Sequence, residues 1–205
     1  MLQKIVTFKK DPVYTENAFE DISEAFHLLE LAFRLQKAFD DGLIDEKCFT
    51  RSIEIDTGTG TRIKEKNFAL QDTKLRFHNL VLSAMATLVI AVDRGLDETY
   101  SEKQPDKNDN INSLRNFFYM LRCAFAHDIA HPQWQIKGKY RLVVYQVIIP
   151  KDIVLQATGN ANMTEVSFQF NFENLDKKTV DFNSFHGIDG LICLTLYALS
   201  LVKKS

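Results

Sequence analysis

Residues 111–134, INSLRNFFYMLRCAFAHDIAHPQW, decide the fold and hold the most concentrated chemistry of the chain. Apolar residues recur in this stretch at steps of three and four, which puts them on one face of a helix. Asp109 or Asn110 is placed to cap the helix start. Pro132 disfavours helical backbone at the preceding residue, so we expect the helix to end between residues 126 and 130. The predicted inner stripe consists of Ile111, Leu114, Phe118, Leu121 and Phe125.

Two earlier segments show the same helical period. Thr15 is placed to cap the start of the first segment, which ends near Gly42. The second is predicted over residues 71–94, with Gly95 as a left-handed stop at its C-terminal end. The predicted inner face of the first comprises Phe19, Ile22, Phe26, Leu29 and Phe33, and that of the second comprises Leu75, Leu80 or Val81, Ala84, Leu88 and Val92.

The C-terminal part changes period and then returns to helix. Residues 140–149 and 165–172 are rich in β-branched and aromatic side chains, which predicts two strands of a small antiparallel sheet around a turn at Gly159 and Asn160. Residues 154–155 and 179–182 are predicted to add short strands. The last segment, residues 184–204, is apolar nearly all round, which is typical of a helix buried in a bundle or at a subunit contact. Its predicted inward positions are Ile188, Leu191, Ile192, Thr195, Leu199 and Val202.

The resulting fold class is mainly α, with four helices in a bundle and a small antiparallel β insertion at about residues 137–182, before the last helix. A length of 205 residues suits a single domain over residues 1–205. Apolar residues make up 45% of the chain, with 16 Phe, which is enough for a substantial core and argues against disorder.

Charge and cysteine content restrict the function classes. The net charge of −2 argues against a broad, nonspecific nucleic-acid coat but allows a local basic site. Three cysteines without paired spacing favour free thiols in a reducing compartment. The N-terminus lacks a signal-peptide pattern, and the most apolar run, residues 191–202, is well short of the roughly 20 residues that span a bilayer. We therefore expect a cytoplasmic protein without a membrane partner.

Arg122 and His127 are the candidate catalytic residues. An arginine guanidinium is a permanent cation that holds a phosphate through two donors. A histidine imidazole exchanges protons near neutral pH. Both residues lie at the end of an otherwise apolar helix, and the small side chains of Ala124 and Ala126 leave room around them.

The Arg122-x4-His127 pattern, with its aromatic-rich helix before and Pro132 and Trp134 after, resembles the HEPN family. That family is a four- to five-helix bundle that commonly dimerises, so the resemblance implies a homodimer. It also implies metal-independent RNA cleavage without a cofactor, in which His127 is the general base or acid and Arg122 stabilises charge on the phosphate. The site would be composite, built from two subunits across a twofold axis. Such domains often serve toxin–antitoxin or defence systems, which implies an antitoxin partner.

Family nucleases usually carry a polar residue, often Asn, directly after the arginine, whereas this chain has Cys123. The departure favours an alternative function, in which the chain is a catalytically inactive HEPN-like interaction module.

Helix geometry adds a condition for activity. Five residues of a continuous helix separate Arg122 and His127 by about 140°. Both reach one phosphate within one subunit only if the helix bends or ends before His127; otherwise they meet across a dimer.

Residues around this pair are the candidate substrate-binding positions. Arg115, Tyr119 and Arg122 recur at steps of four and three, and with Asn116 nearby they are suited to a basic, aromatic groove for single-stranded RNA or a nucleotide. The alternative for this stripe is an ordinary amphipathic boundary. The predicted binding positions are Arg115, Asn116, Tyr119, Cys123, Asp128 and His131.

Structural roles compete with the chemical ones. Arg122 is placed for a salt bridge with Glu24 or Glu30 on the first helix, and His127 for capping the helix C-terminus. Trp134, the only tryptophan, is predicted to pack the β insertion onto the bundle rather than to stack on a base.

Four weaker candidates remain. His127 and His131, with Asp128 between them, have a spacing that holds zinc on a helix and would make a metal hydrolase, but no third ligand is evident, so no metal site is predicted. Cys123 is interpreted as a buried thiol, and the alternative is a nucleophile paired with His127. His186 is predicted at the start of the last helix, with a site role as the alternative. Residues 56–61 have the glycines and hydroxyls of a phosphate loop without its Gly-Lys-Ser/Thr ending, so we interpret them as a surface loop.

Overall fold

The computed structural model describes residues 6–7, 17–45, 53–56, 62–65, 70–100, 103–141, 143–160 and 162–202. These residues form five α-helices, and two short 3₁₀ turns flank the C-terminal sheet. The elements in chain order are β1 (Val6–Thr7), α1 (Ala18–Asp40), β2 (Ile53–Asp56), β3 (Arg62–Glu65), α2 (Leu70–Thr99), α3 (Asn110–His127), the turn Gly138–Tyr140, β4 (Val144–Ile149), α4 (Lys151–Thr158), β5 (Val166–Asn171), the turn Phe182–Phe185 and α5 (Gly187–Val202). The mainly helical class and the small antiparallel sheet before the last helix are confirmed.

Helix α2 is the centre of the helical layer and packs against α1, α3 and α5. It continues through Gly95 to Thr99, so the prediction that Gly95 ends this helix is wrong. A Cβ on Gly95 would lie 2.8 Å from Ile22 Cδ1 and 3.4 Å from Ala18 Cβ. The glycine therefore lets α1 approach the backbone of α2 closely, since no side chain stands between them.

The predicted inner stripes are buried for the most part. Val81, Ala84, Leu88 and Val92 of α2 have at most 6% exposure. Leu75 and Leu80 are exposed instead. In the first turns of α2 the buried residues are Thr73, Phe77 and Val81, spaced four apart. The buried face therefore points away from Leu75 and leaves Leu80 at its edge. The buried members of the predicted stripes on the other helices are Ile22, Leu29, Leu114, Phe118, Leu121, Phe125, Leu191, Thr195 and Val202.

Strands β4 and β5 pair antiparallel over their full length, from Val144 opposite Asn171 to Ile149 opposite Val166. Alternate side chains of β4 are buried, as expected for a sheet with one face on a core. Phe170 of β5 stacks on Phe117 of α3 with ring centres 4.1 Å apart, which holds the sheet against the helices. Trp134 is 3% exposed and packs on Phe172, so its predicted packing role is confirmed.

Between β4 and β5 the chain forms helix α4, and the prediction of a strand at residues 154–155 is wrong. Pro150 ends the strand and stands at the helix N-cap, while Gly159, at φ 68°, ends the helix in the left-handed conformation. Thr179 makes only an isolated bridge with Gln133, and Phe182 begins a 3₁₀ turn, so residues 179–182 are not a strand either.

The sequence did not predict the sheet β1-β2-β3, in which β1 runs parallel and β3 antiparallel to β2. Asp56 ends β2, and residues 57–61 of the predicted surface loop lie outside the described residues, as does Thr15. Within the described part, Asn17 is the N-cap of α1, and its side chain accepts a hydrogen bond from the backbone of Phe19.

Asn110, the first residue of α3, connects three elements. Its side-chain amide donates to the carbonyl of Ile148 at 2.9 Å and to the hydroxyl of Tyr197 at 2.7 Å. Its carbonyl oxygen accepts from the backbone N–H of Ile148 at 2.6 Å. Because Ile148 lies on β4 and Tyr197 on α5, one amide fixes the start of α3 relative to both elements.

One helical segment, Thr73–Thr99, is long and apolar enough to cross a membrane by length and composition, with a mean hydropathy of 1.6. Half of its most apolar window is buried inside the protein. A core helix passes the same test, so this segment is only weak evidence for a membrane span.

Candidate functional site

Helix α3 carries the predicted site residues and is continuous to His127. Asp109 caps its start, as predicted, by accepting the backbone N–H of Asn112 at 3.1 Å. At its end Asp128 is extended, with φ −156° and ψ 113°. The carboxylate of Asp128 accepts the backbone N–H groups of Ala130 and His131 at 2.9 and 3.0 Å. The helix therefore ends within the predicted range, and the Asp128 side chain shapes the turn that follows.

Arg122 faces α2 and forms an ion pair with Asp93, with 3.0 Å between its NH1 nitrogen and Oδ2. Asp93 is fully buried, whereas the Arg122 side chain is 41% exposed. The predicted alternative of a bridge to Glu24 or Glu30 on the first helix is wrong, because this side of α3 packs on α2 and not on α1. A guanidinium carries five N–H donors, and with 41% of the side chain exposed, part of this group can still reach a ligand.

Asp93 belongs to a chain of alternating charges along α2 and α3. Lys103 lies 3.1 Å from the other oxygen of Asp93 and also forms an ion pair with Asp97. Arg115 lies 3.2 Å from Asp97. Neither Lys103 nor the two aspartates were predicted as site residues from the sequence. The available signal was a pair of carboxylates four residues apart near the end of an apolar helix.

Burial raises the pKa of the Asp93 carboxyl, more than Lys103 and Arg122 lower it. One of its oxygens contacts Lys103 and the other contacts Arg122, and both oxygens are buried from solvent. The carboxyl is thus held in a place where its charged form is poorly solvated.

We expect the stability of the wild-type protein to fall, relative to that of Asp93→Asn, as the pH rises above 3.8, the ordinary pKa of this carboxyl. A raised pKa means that the folded state binds this proton more tightly than the unfolded state, so deprotonation favours unfolding. The stabilisation is complete below the unfolded pKa and is lost as the pH rises through the folded pKa. Urea denaturation of both proteins across this range measures the difference. Parallel curves would contradict the prediction.

Tyr119 lies one turn before Arg122, and three cations surround its ring. The charged groups of Lys103, Arg122 and Lys137 lie 5.0, 5.3 and 5.5 Å from the ring centre, within the range of cation–π attraction. Lys137 also donates to the Tyr119 hydroxyl at 2.9 Å, and this hydrogen bond is the largest cause that raises the pKa of Lys137. Lys137 is exposed, so this side of the cluster is open to solvent.

His127 is exposed and lines a depression of about 420 Å³ together with Ala86, Ile90 and Ile129. Arg122 does not line this depression. Because α3 is regular through both residues, their directions differ by about 140°. The structure therefore does not provide the early helix end that would bring the two side chains together within one subunit.

The other predicted binding residues are dispersed. Arg115 and Asn116 are 3% and 0% exposed, and Asn116 donates to the carbonyl of Gln104 at 3.3 Å, so neither is the exposed surface residue that was predicted. Cys123 is a half-buried free thiol. His131 is exposed, with Nδ1 3.7 Å from the carboxylate of Asp128. Among the described residues, no group of three His, Cys, Asp or Glu side chains could hold a metal ion.

His186 precedes α5, as predicted, in the left-handed conformation at φ 64°. Its ring meets that of Phe168 edge-on with 5.4 Å between the ring centres. It is exposed and belongs to a different part of the fold from α3, so the geometry gives it a packing role.

The basic side chains of this region form a cationic cluster, which we define as five cations and two carboxylates around Tyr119. The cluster carries a net charge of +3 within a chain whose net charge is −2. Its members are Lys103, Arg115, Arg122, Lys137 and Lys139 with Asp93 and Asp97. The family models, the curated proteins and the solved structures compared with the chain contain no match, so the resemblance to the HEPN family rests on the residues of α3.

Proposed function

We propose that the chain is a HEPN-like protein that binds single-stranded RNA or nucleotides through phosphate contacts on the side of α3 that carries Tyr119 and Arg122. The observation that carries the proposal is the concentration of Lys103, Arg122 and Lys137 around one tyrosine ring. Phosphate contacts from lysine and arginine supply most of the affinity of nucleic-acid binding. A net positive cluster in an acidic chain supports such a partner.

Asp93 prepares Arg122 for this role. The buried carboxylate contacts one nitrogen of the guanidinium, while 41% of the side chain stays exposed. An arginine whose orientation is already fixed loses less conformational entropy when a phosphate binds. Asp93 is thus a positioning residue that acts through Arg122.

For cleavage, we propose a composite site between two subunits related by a twofold axis. His127 of one subunit takes the proton of a ribose 2′-hydroxyl as the oxygen attacks the adjacent phosphorus, or donates a proton to the departing 5′-oxygen. Arg122 of the other subunit stabilises the additional negative charge on the phosphate. The divergence of the two side chains on one regular helix supports this assignment, because a twofold mate supplies the missing partner to each.

In this role the protein acts in the cytoplasm as a homodimer. From the same resemblance we propose that the protein belongs to a toxin–antitoxin or defence system and that its partner is an antitoxin protein.

We expect Lys137→Ala to weaken binding of a single-stranded RNA by about fivefold and to reduce the salt dependence of log Kd by about 0.7, because one phosphate contact is lost. Fluorescence anisotropy in EDTA at several salt concentrations measures both quantities. Lys137 is the cleanest variant, since its exposed side chain has Tyr119 as its hydrogen-bond partner and leaves the ion pairs of Asp93 intact.

Lys178→Ala is the matched control for this experiment, because Lys178 is also an exposed lysine but lies outside the cationic cluster. Equal affinity of wild type, Lys137→Ala and Lys178→Ala at all salt concentrations would remove the α3 face as the binding surface.

A second candidate is the inactive interaction module. It is favoured by Cys123 in the position of a family amide and by an apolar groove of about 610 Å³ between α1, α4 and α5, lined by Phe26, Phe33, Ile192 and Leu196. In this case Arg122 serves only to neutralise Asp93. Arg122→Ala would then lower the melting temperature without changing RNA affinity, whereas the first proposal requires a loss of affinity in the folded variant.

A further inference from the structure

A pocket of about 290 Å³ lies within the cationic cluster, between the C-terminal end of α2, the middle of α3 and the turn Gly138–Tyr140. Its lining includes three cations, Lys103, Arg115 and Lys139, and one carboxylate, Asp97. These four side chains give the lining a net charge of +2. Neither Arg122 nor His127 lines the pocket, so the pocket is separate from the Arg122-x4-His127 motif.

Arg115 is the most buried cation of this lining. Its side chain is 4% exposed, and one carboxylate oxygen of Asp97 lies 3.2 Å from its NH2 nitrogen. Its Nε–H has no hydrogen-bond partner among the described residues. A buried guanidinium with an unused donor is expensive to maintain without a partner, and an anion in the pocket would supply one.

Tyrosine hydroxyls provide the neutral donors. Tyr140 is 3% exposed, and burial raises its pKa to about 12, so its hydroxyl remains protonated near neutral pH. Tyr100 lines the same pocket, and burial also raises its pKa. The Tyr119 oxygen accepts from Lys137, so the hydrogen of this hydroxyl remains available for a ligand. The lining thus combines cations with residues that carry O–H donors.

We propose that this pocket binds a phosphomonoester group. Such a group carries a charge of about −1.5 to −2 near neutral pH, which matches the net charge of the lining, and its oxygens accept several hydrogen bonds. Tyr140 is 3% exposed and does not present its ring face to a base, so the proposal assigns only the phosphate group to this pocket. The ligand is therefore a phosphate terminus, carried by an RNA end or by a free mononucleotide. The assignment to an RNA end rests on the proposed function.

The first experiment titrates the purified full-length protein with inorganic phosphate, with AMP and UMP, and with adenosine as the unphosphorylated control, by isothermal titration calorimetry. We expect phosphate and both mononucleotides to bind, with AMP and UMP within about twofold of each other, and adenosine to give no heat of binding. Lys139→Met and Tyr140→Phe should each weaken binding by about tenfold, since each removes one charge-assisted contact.

Lys178→Met, an exposed lysine outside the pocket, is the control and should match wild type. Binding that is unchanged in both pocket variants, adenosine binding as tight as that of AMP, or no phosphate binding by the wild type would each overturn the proposal. Lys139 is exposed and Tyr140→Phe removes only an oxygen, so both variants keep the fold-determining contacts, and a thermal melt of each checks this.

The second experiment compares the same single-stranded RNA with a 5′-phosphate, a 3′-phosphate or hydroxyls at both ends. A preference for a phosphorylated end that disappears in Lys139→Met assigns the pocket to RNA termini. Equal RNA affinity for all ends, with mononucleotide binding retained, assigns it to the free nucleotide. If the wild type binds phosphate but not RNA, the proposed function is wrong and the pocket assignment stands. If it binds RNA but not phosphate, the pocket assignment is wrong and the proposed function stands.

Discussion

A one-to-one mixture of Arg122→Ala and His127→Ala subunits is expected to recover about a quarter of the wild-type RNA cleavage, whereas either variant alone falls by about a hundredfold or more. Random assembly makes about half of the dimers mixed, and each mixed dimer contains one intact site of two. The recovery follows from the regularity of α3, which directs the two side chains away from each other within one subunit.

The mixture is prepared by co-expression, and cleavage of a fluorescent single-stranded RNA is measured in EDTA beside each variant alone. A sample of one part wild type and three parts of the double variant Lys137→Ala/Arg122→Ala shows the signal that corresponds to a quarter of the wild-type activity. If the folded variants give no recovery in mixed dimers while the wild type cleaves, the two residues act within one subunit and the composite site is wrong. A wild type that does not cleave in EDTA would remove the nuclease activity and leave RNA binding to its own test.

Gly190→Ala is expected to lower the free energy of unfolding by about 3 kcal/mol or more, which corresponds to a fall of roughly 6–12 °C in melting temperature. A Cβ at this position would lie 1.7 Å from the carbonyl oxygen of Phe185 and 3.1 Å from the ring of Phe168. The clash involves backbone, so a side-chain rotation cannot relieve it. The preceding residues His186 and Gly187 are both left-handed, at φ 64° and 67°, and hold the chain in this sharp reversal.

Gly138→Ala is the matched control, because a Cβ on Gly138 meets no atom within 4 Å. It should change stability by less than about 0.5 kcal/mol. Thermal and urea denaturation of both variants give the comparison. A Gly190→Ala protein as stable as Gly138→Ala would show that the start of α5 is not packed as the structure places it.

The sequence predicted α3 well because its apolar spacing, its capping aspartate and the following proline all agree. It failed at α4, since eight residues are too few for a helical period to be distinguished from a strand. It also failed at Gly95, where the glycine is required by a neighbouring helix and not by the local backbone. Contacts between distant segments leave little trace in a local pattern.

The same reason explains what the sequence did and did not predict about the site. Arg122 and His127 were identified by residue type and spacing, which are local properties. The partner of Arg122 was assigned to the wrong helix, because a choice between Glu24, Glu30 and Asp93 depends on which helix lies against α3. Arg115 and Asn116 were predicted to face RNA but are buried, since the loop before α3 and the end of α2 cover them.

The amide of Asn110 has a consequence for synthesis of the chain. Its partners lie 38 and 87 residues further along, so they leave the ribosome well after α3 has been made. The start of the helix that carries Arg122 and His127 therefore gains its first anchor on the growing polypeptide when Ile148 has been made, and the set of contacts is complete only after Tyr197. A prematurely terminated product that lacks Tyr197 would keep only part of the contacts that fix the start of α3.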